Sequence, residues 1–284
     1  MKHITFSGGG TLAGLANMLA YHGFEADDRA IALEMEAPYL FVRRNGHYQA
    51  GVKLYQPEFL NLYLHRHGYH LRQNMFARED VCAFLRTHAP AMLTIAVTKS
   101  ATHPALFRGY TNGRYEFDNI KSAESTEPDM LSLSSAMLKR RLAAGVTVFT
   151  LETCARKSTD MKPLLLESLR TLTAYRADVL SAREQTMTRE EFSALHEPLF
   201  RALMQDYRAM ALLTGDMTLS NELELLEHDY KHVFLYNSPE RVALNTCLPR
   251  TSIRSCILWI HEDIIDRLSE LGMNDDELEQ AMKL

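Results

Sequence analysis

Cysteine is scarce and scattered. The 284 residues contain four, Cys82, Cys154, Cys247 and Cys256, and none forms a CxxC pair. Neither a disulfide scaffold nor a structural zinc site is expected, and a reducing cytoplasm is the expected location. Positive charge is not in excess: 31 Lys and Arg face 36 Asp and Glu, a net charge of −5. Nucleic acid and anionic membranes are therefore not expected as main partners. No apolar run approaches the roughly 20 residues of a transmembrane helix. The start, with the strand-like run His3-Ile4-Thr5-Phe6, lacks a charged region followed by a long apolar core, so no signal peptide is expected. No internal repeat, low-complexity tract or cofactor motif is visible.

What remains is an ordinary globular composition, 46% apolar and 24% charged, in a chain with room for two domains. In the first half, Leu12, Leu15, Ala16, Leu19 and Ala20 keep the spacing of one buried helix face, closed by His22-Gly23. Asp27 or Asp28 suits the cap of a second helix running to Glu34. Gln56-Pro57 opens a third over Glu58 to Arg66, ended by Gly68, and a fourth covers Arg78 to Thr87. Strand signals follow at Ala91 to Thr98, Ala105 to Tyr110, Arg114 to Asn119 and Val146 to Glu152, with Asn112-Gly113 as a hairpin turn. Helices first and an antiparallel sheet afterwards make an α+β plan.

After residue 155 the strand signals nearly vanish. Helical periodicity runs over Leu164 to Glu184, Arg189 to Leu213, Asn221 to Tyr236 and Ser252 to Gly272. Thr188…Glu191 and Asn274…Glu277 have capping-box spacing. The expected organisation is one domain over 1–155 and a helical one over 156–284.

Two segments have the form of a catalytic site. Gly8-Gly9-Gly10-Thr11 is a glycine turn feeding a helix, whose dipole and free N–H groups suit a thiolate and an oxyanion. His103 begins a hairpin that ends at Asp118-Asn119, placing an imidazole and an orienting amide on partner strands. A strict two-residue Asn112-Gly113 turn sets His103 opposite residue 122, so a bulge or a curled strand end must bring Asn119 into range.

In order and spacing, Gly10 through Tyr21-His22-Gly23, followed by His103, Gly109, Gly113, Tyr115 and Asn119, resemble the bacteriocin-processing cysteine peptidases. They are also similar to the family of the butirosin biosynthesis protein H N-terminal domain. The resemblance covers residues 1 to 155 and implies a papain-like fold and acyl transfer through a thioester. By the same resemblance the nucleophile belongs at Gly10, His103 is the general acid and base, and Asn119 orients it. Ser7, Gly9, Thr11 and Asp118 then line the substrate side. The implied substrate is a small-molecule or peptide acyl group, in the butirosin-type relatives delivered by a carrier protein.

The departure is at the nucleophile, where glycine replaces cysteine. Three readings stand: an acyltransferase impaired by natural loss or deliberate substitution, a non-catalytic accessory protein that kept the cleft, and a plain turn before a core helix. Ser7 is the nearest serine, but three residues of displacement argue against it as replacement nucleophile.

Elsewhere, His3 and His47 suit a cleft or a surface equally. His228 and His232 share a helix face and His261 precedes Glu262, but the His-Glu-x-x-His pattern is missing and no metal is expected. The stripe Phe200, Leu203, Met204, Tyr207 and Met210 reads as packing. Fourteen methionines suit an acyl-chain tunnel or a homodimer interface equally.

Overall fold

A computed structural model describes residues 3–4, 10–44, 47–51, 54, 56–96, 102–181, 206, 208–230 and 260–283. In chain order the elements are α1 (Thr11–Tyr21), α2 (Asp28–Glu34), β1 (Phe41–Arg44), β2 (His47–Ala50), α3 (Pro57–His67), β3 (Tyr69–Ala77) and α4 (Arg78–Leu85). There follow β4 (Ala91–Ala96), β5 (Thr102–Thr111), β6 (Arg114–Asn119), β7 (Met130–Ser134), α5 (Ser135–Arg141), β8 (Gly145–Thr153) and α6 (Lys162–Ser181). Further helices cover Arg208–Thr214, Met217–Tyr230, 260–270 and Asp275–Met282. The fold is α+β with an antiparallel sheet. Its contacts divide into two compact units: residues 1–35 with 52–159, and 36–51 with 160–284.

The first unit is built on a six-stranded sheet in the order β3-β8-β4-β5-β6-β7, every neighbouring pair antiparallel. Successive strand residues point to opposite faces, and directly opposed residues share one. One face carries Ala91, Leu93, Ala105, Phe107, Tyr115, Phe117, Leu131 and Leu133 against Val81, Cys82, Leu85, Leu138 and Leu142. Burying the Phe107 and Phe117 side chains contributes about 2–3 kcal/mol each. Tyr115 donates from its hydroxyl to the Cys82 carbonyl (3.1 Å) and accepts from Arg86 Nε (3.1 Å), so its polar end is satisfied.

The opposite face holds the cross-strand row Met92, Leu106, Asp118 and Met130. Here α1 lies close: a Cβ on Gly14 would stand 2.3 Å from Met92 Sδ, so only glycine lets the helix approach β4 this far. Asp27, rather than Asp28, caps α2 by accepting from Ala30 N (2.8 Å). Gly68 ends α3 in the left-handed conformation at φ +84°. The buried Asn61 clips α3 to β3, accepting from Leu71 N (2.7 Å) and donating to Leu71 O (3.1 Å).

At the same junction His65 and His70 stack with ring centroids 5.2 Å apart and Nε2···Nδ1 at 2.9 Å, a geometry that needs one proton between the two nitrogens. Burial, then His70, then Lys157 hold the His65 imidazole below its usual range. The sign follows directly. A histidine with a depressed folded pKa takes up protons more readily in the unfolded chain, so its contribution is intact at neutral pH and fades as pH falls below the ordinary value near 6.5. Denaturant titrations at pH 7.5 and 5.0 should show stability falling with acidification. His65→Gln should make that fall shallower, and an unchanged slope would contradict the assignment.

In the second unit, β1 and β2 form a hairpin with Phe41 opposite Ala50. Ser168 on α6 accepts from Phe41 N (2.9 Å), and Tyr48 packs edge-on against Tyr175 at 4.8 Å. Arg267 is gripped by Glu36 (2.9 Å) and Glu270 (2.7 Å), which raise its already high pKa further. Asn274 and Glu277 form both arms of the expected capping box. Thr188…Glu191 lies outside the described residues, as do much of the expected Arg189–Leu213 helix and the first part, 252–259, of the expected Ser252–Gly272 helix, whose remainder is helical over 260–270. Among the described residues no helix is long and apolar enough to cross a membrane.

Candidate functional site

Gly10 occupies the N-cap of α1, buried and left-handed at φ +82°, with its carbonyl accepting from Gly14 N at 2.8 Å. A Cβ there would meet Ile120 Cγ2 at 3.1 Å, Ile4 Cδ1 at 3.2 Å and Pro104 Cγ at 3.3 Å. The position is tight in space and unfavourable in φ for any side chain. Thr11 follows as the first helical residue and is buried. Ser7 and Gly9 lie outside the described residues.

The β5–β6 hairpin carries the expected bulge. Tyr110 opposes Tyr115, the register shifts between Phe107 and Gly109, and from there Ala105 opposes Asn119. The shift brings Asn119 one position closer to His103, which by register still falls opposite residue 121. Face parity then sorts the site residues. Pro104 opposes Thr94, on the α1 face with Gly10, whereas His103 opposes Ile95 and shares the other face with Ala105 and Asn119. The hairpin thus joins His103 to Asn119 and sets Gly10 on the opposite side of the strand.

Asn119 is fully buried and does not hold the imidazole. Its Nδ2 donates to Glu127 Oε2 (3.1 Å) and to the Pro128 carbonyl (3.1 Å), while Oδ1 has no partner among the described residues. His103 is half-exposed with Nε2 3.9 Å from Glu127 Oε1. A carboxylate therefore stands between the amide and the ring. Lys121, buried beside this loop, donates to the carbonyls of Ser125 (3.0 Å) and Glu127 and pairs with Asp129 (2.8 Å). Glu127 carried no motif in the sequence, because it lies in the irregular segment between β6 and β7.

Asp118 lies on the α1 face and lines a cavity of about 570 Å³ with His3, Asn17, Tyr21, Arg108 and Asp129. Arg108, displaced at the bulge, pairs with Asp118 at 3.4 Å and lies 5.9 Å from the Tyr21 ring centroid. Burial raises the Asp118 carboxyl, opposed by Arg108, and burial followed by the Asp118 charge raises the Tyr21 phenol. A second hollow of about 490 Å³ shares Tyr21, Arg108 and Met130 and continues past Gly109 to Arg114 and Glu116. This arrangement can hold a ligand with both hydrogen-bonding and apolar parts. Arg108 and Tyr21 escaped the sequence reading because their only signal was position, one before Gly109 and the other closing α1.

His3 is exposed at the cavity wall. The side chains of His47 and His228, and all of His232, lie outside the described residues. His261 is buried, 3.2 Å from the Thr173 hydroxyl, and burial lowers its pKa first of all. Among the described residues no three His, Cys, Asp or Glu side chains cluster as a metal site requires. Comparison of the whole sequence with protein-family models and with curated proteins finds no match in either. The resemblance to cysteine peptidases is carried by the short motifs around Gly10, His103 and Asn119 alone.

Proposed function

We propose that the first unit, residues 1–35 with 52–159, is a papain-like, cysteine-peptidase-like domain, that the second is mainly helical, and that the protein works without a covalent intermediate. In this reading it is an accessory protein that holds an acyl or peptide ligand in the cleft beside α1. The observation that carries the reading is Gly10: its left-handed backbone and the wall of Ile4, Ile120 and Pro104 suit a glycine and crowd a thiol. The opposite placement of His103 adds support, since a nucleophile needs its base within hydrogen-bond reach. Arg108, Asp118 and Tyr21 supply the polar contacts, and the alkyl wall at Met130 the apolar one.

The alternative, a biosynthetic acyltransferase acting on a carrier-bound acyl group, rests on the same resemblance and needs a thiol at position 10. Butanoyl-pantetheine with an amine acceptor separates the two. The accessory reading expects saturable binding in equilibrium dialysis, weakened at least about tenfold by Arg108→Glu, with thioester loss at the buffer rate. Turnover gained by Gly10→Cys and abolished by a second His103→Ala substitution would overturn it in favour of the transferase. Absence of both binding and turnover removes the acyl ligand altogether.

A further inference from the structure

A second cavity lies in the first unit, lined by residues of β4, the start of β5, the end of α5 and the beginning of β8. Its volume is about 260 Å³, and Arg141, Thr94, Thr102 and Thr147 line it together with Leu54 and Phe149. Arg141 is the last residue of α5, and its Nη1 is buried without a hydrogen-bond partner among the described residues. A buried guanidinium nitrogen with an unused N–H is costly, because it has given up water and gained nothing in exchange. None of the described residues that line the cavity is acidic. A positive donor, three hydroxyl-bearing side chains and an apolar wall in one hollow call for an anion attached to an apolar body.

We propose that this cavity binds a small carboxylate with a short alkyl or aryl group. The carboxylate accepts from Arg141 Nη1 and from threonine hydroxyls, and the apolar group lies against Leu54 and Phe149. Arginine suits this role because its fixed planar fork matches a carboxylate and its charge survives at every working pH. The cavity is too small for a nucleotide and its wall too apolar for a bare inorganic anion. It shares no lining residue with the cleft at Arg108 and Asp118, so it stands or falls independently of the proposed function.

The test is calorimetric titration of the full chain with hexanoate, hexanamide and inorganic phosphate. Hexanoate should bind about 10- to 100-fold more tightly than hexanamide, the range of a charge-assisted hydrogen bond. Arg141→Gln should abolish that preference, and Thr147→Val should weaken hexanoate severalfold while leaving the circular dichroism spectrum unchanged. Hexanoate binding that is lost in Arg108→Glu and kept in Arg141→Gln would place the carboxylate in the other cleft and overturn the proposal. Equal binding of hexanoate and hexanamide, preference for phosphate, no binding at all, or an Arg141→Gln variant that binds hexanoate as before would each overturn the proposal.

Discussion

Replacing Asn119 by aspartate is expected to lower stability by about 3–5 kcal/mol near neutral pH, the loss typical of an uncompensated buried charge. The native Nδ2 donates to the Glu127 carboxylate and the Pro128 carbonyl, and the residue has no exposed surface. An introduced carboxylate can donate to neither and would face a second carboxylate in a dry site. Burial and Glu127 both push its folded pKa above the unfolded value. The penalty is therefore largest at high pH and shrinks as pH falls through that raised folded pKa, where the protonated form can donate again. Chemical denaturation of Asn119→Asp between pH 4 and 8 reads both the size and the direction. Asn119→Ala serves as control, with a loss of about 2–3 kcal/mol for the two stranded acceptors and little pH dependence. Were Asn119 instead an exposed orienting residue, both variants would stay within about 0.5 kcal/mol of the parent.

The second large effect is at Gly10, where Gly10→Ala is expected to remove about 2–4 kcal/mol. Left-handed backbone strains any residue with a Cβ, and Ile4, Ile120 and Pro104 crowd the added methyl from three sides. The same substitution at Gly113, whose Cβ direction is open, meets only the backbone strain at φ +79° and should be milder. A Gly10→Ala variant as stable as the parent, by thermal or urea unfolding, would mean that the turn is not built around glycine.

Much of this architecture was legible because the signals were local. The apolar spacing of α1, the Pro57 and Gly68 bracket of α3 and the Asn112-Gly113 turn each state their own geometry. The elements that escaped were those whose pattern depends on distant partners. Strand β3 runs through Arg72, Gln73 and Asn74 because, paired only with β8, it needs few buried residues. The β1–β2 hairpin is fixed by α6, more than a hundred residues away, through Ser168 and Tyr175. At the site, spacing placed His103 and Asn119 on partner strands and called for a bulge or a curled strand end, of which the bulge is found between Phe107 and Gly109. It could not reveal strand parity, which separates His103 from Gly10, nor Glu127, whose loop is shaped by Lys121.

The central claim is that position 10 is a backbone site rather than an empty nucleophile site, and the thiol chemistry of Gly10→Cys tests it most directly. Alkylation by iodoacetamide from pH 6 to 9, corrected for the parent's own cysteines, reports how readily the new thiol ionises. The account predicts the reactivity of an unactivated thiol, with a pKa at or above the ordinary 8.5 and no response to a second His103→Ala substitution. Rapid alkylation at pH 6 that disappears with His103→Ala would contradict it and restore a cysteine-histidine pair to this site.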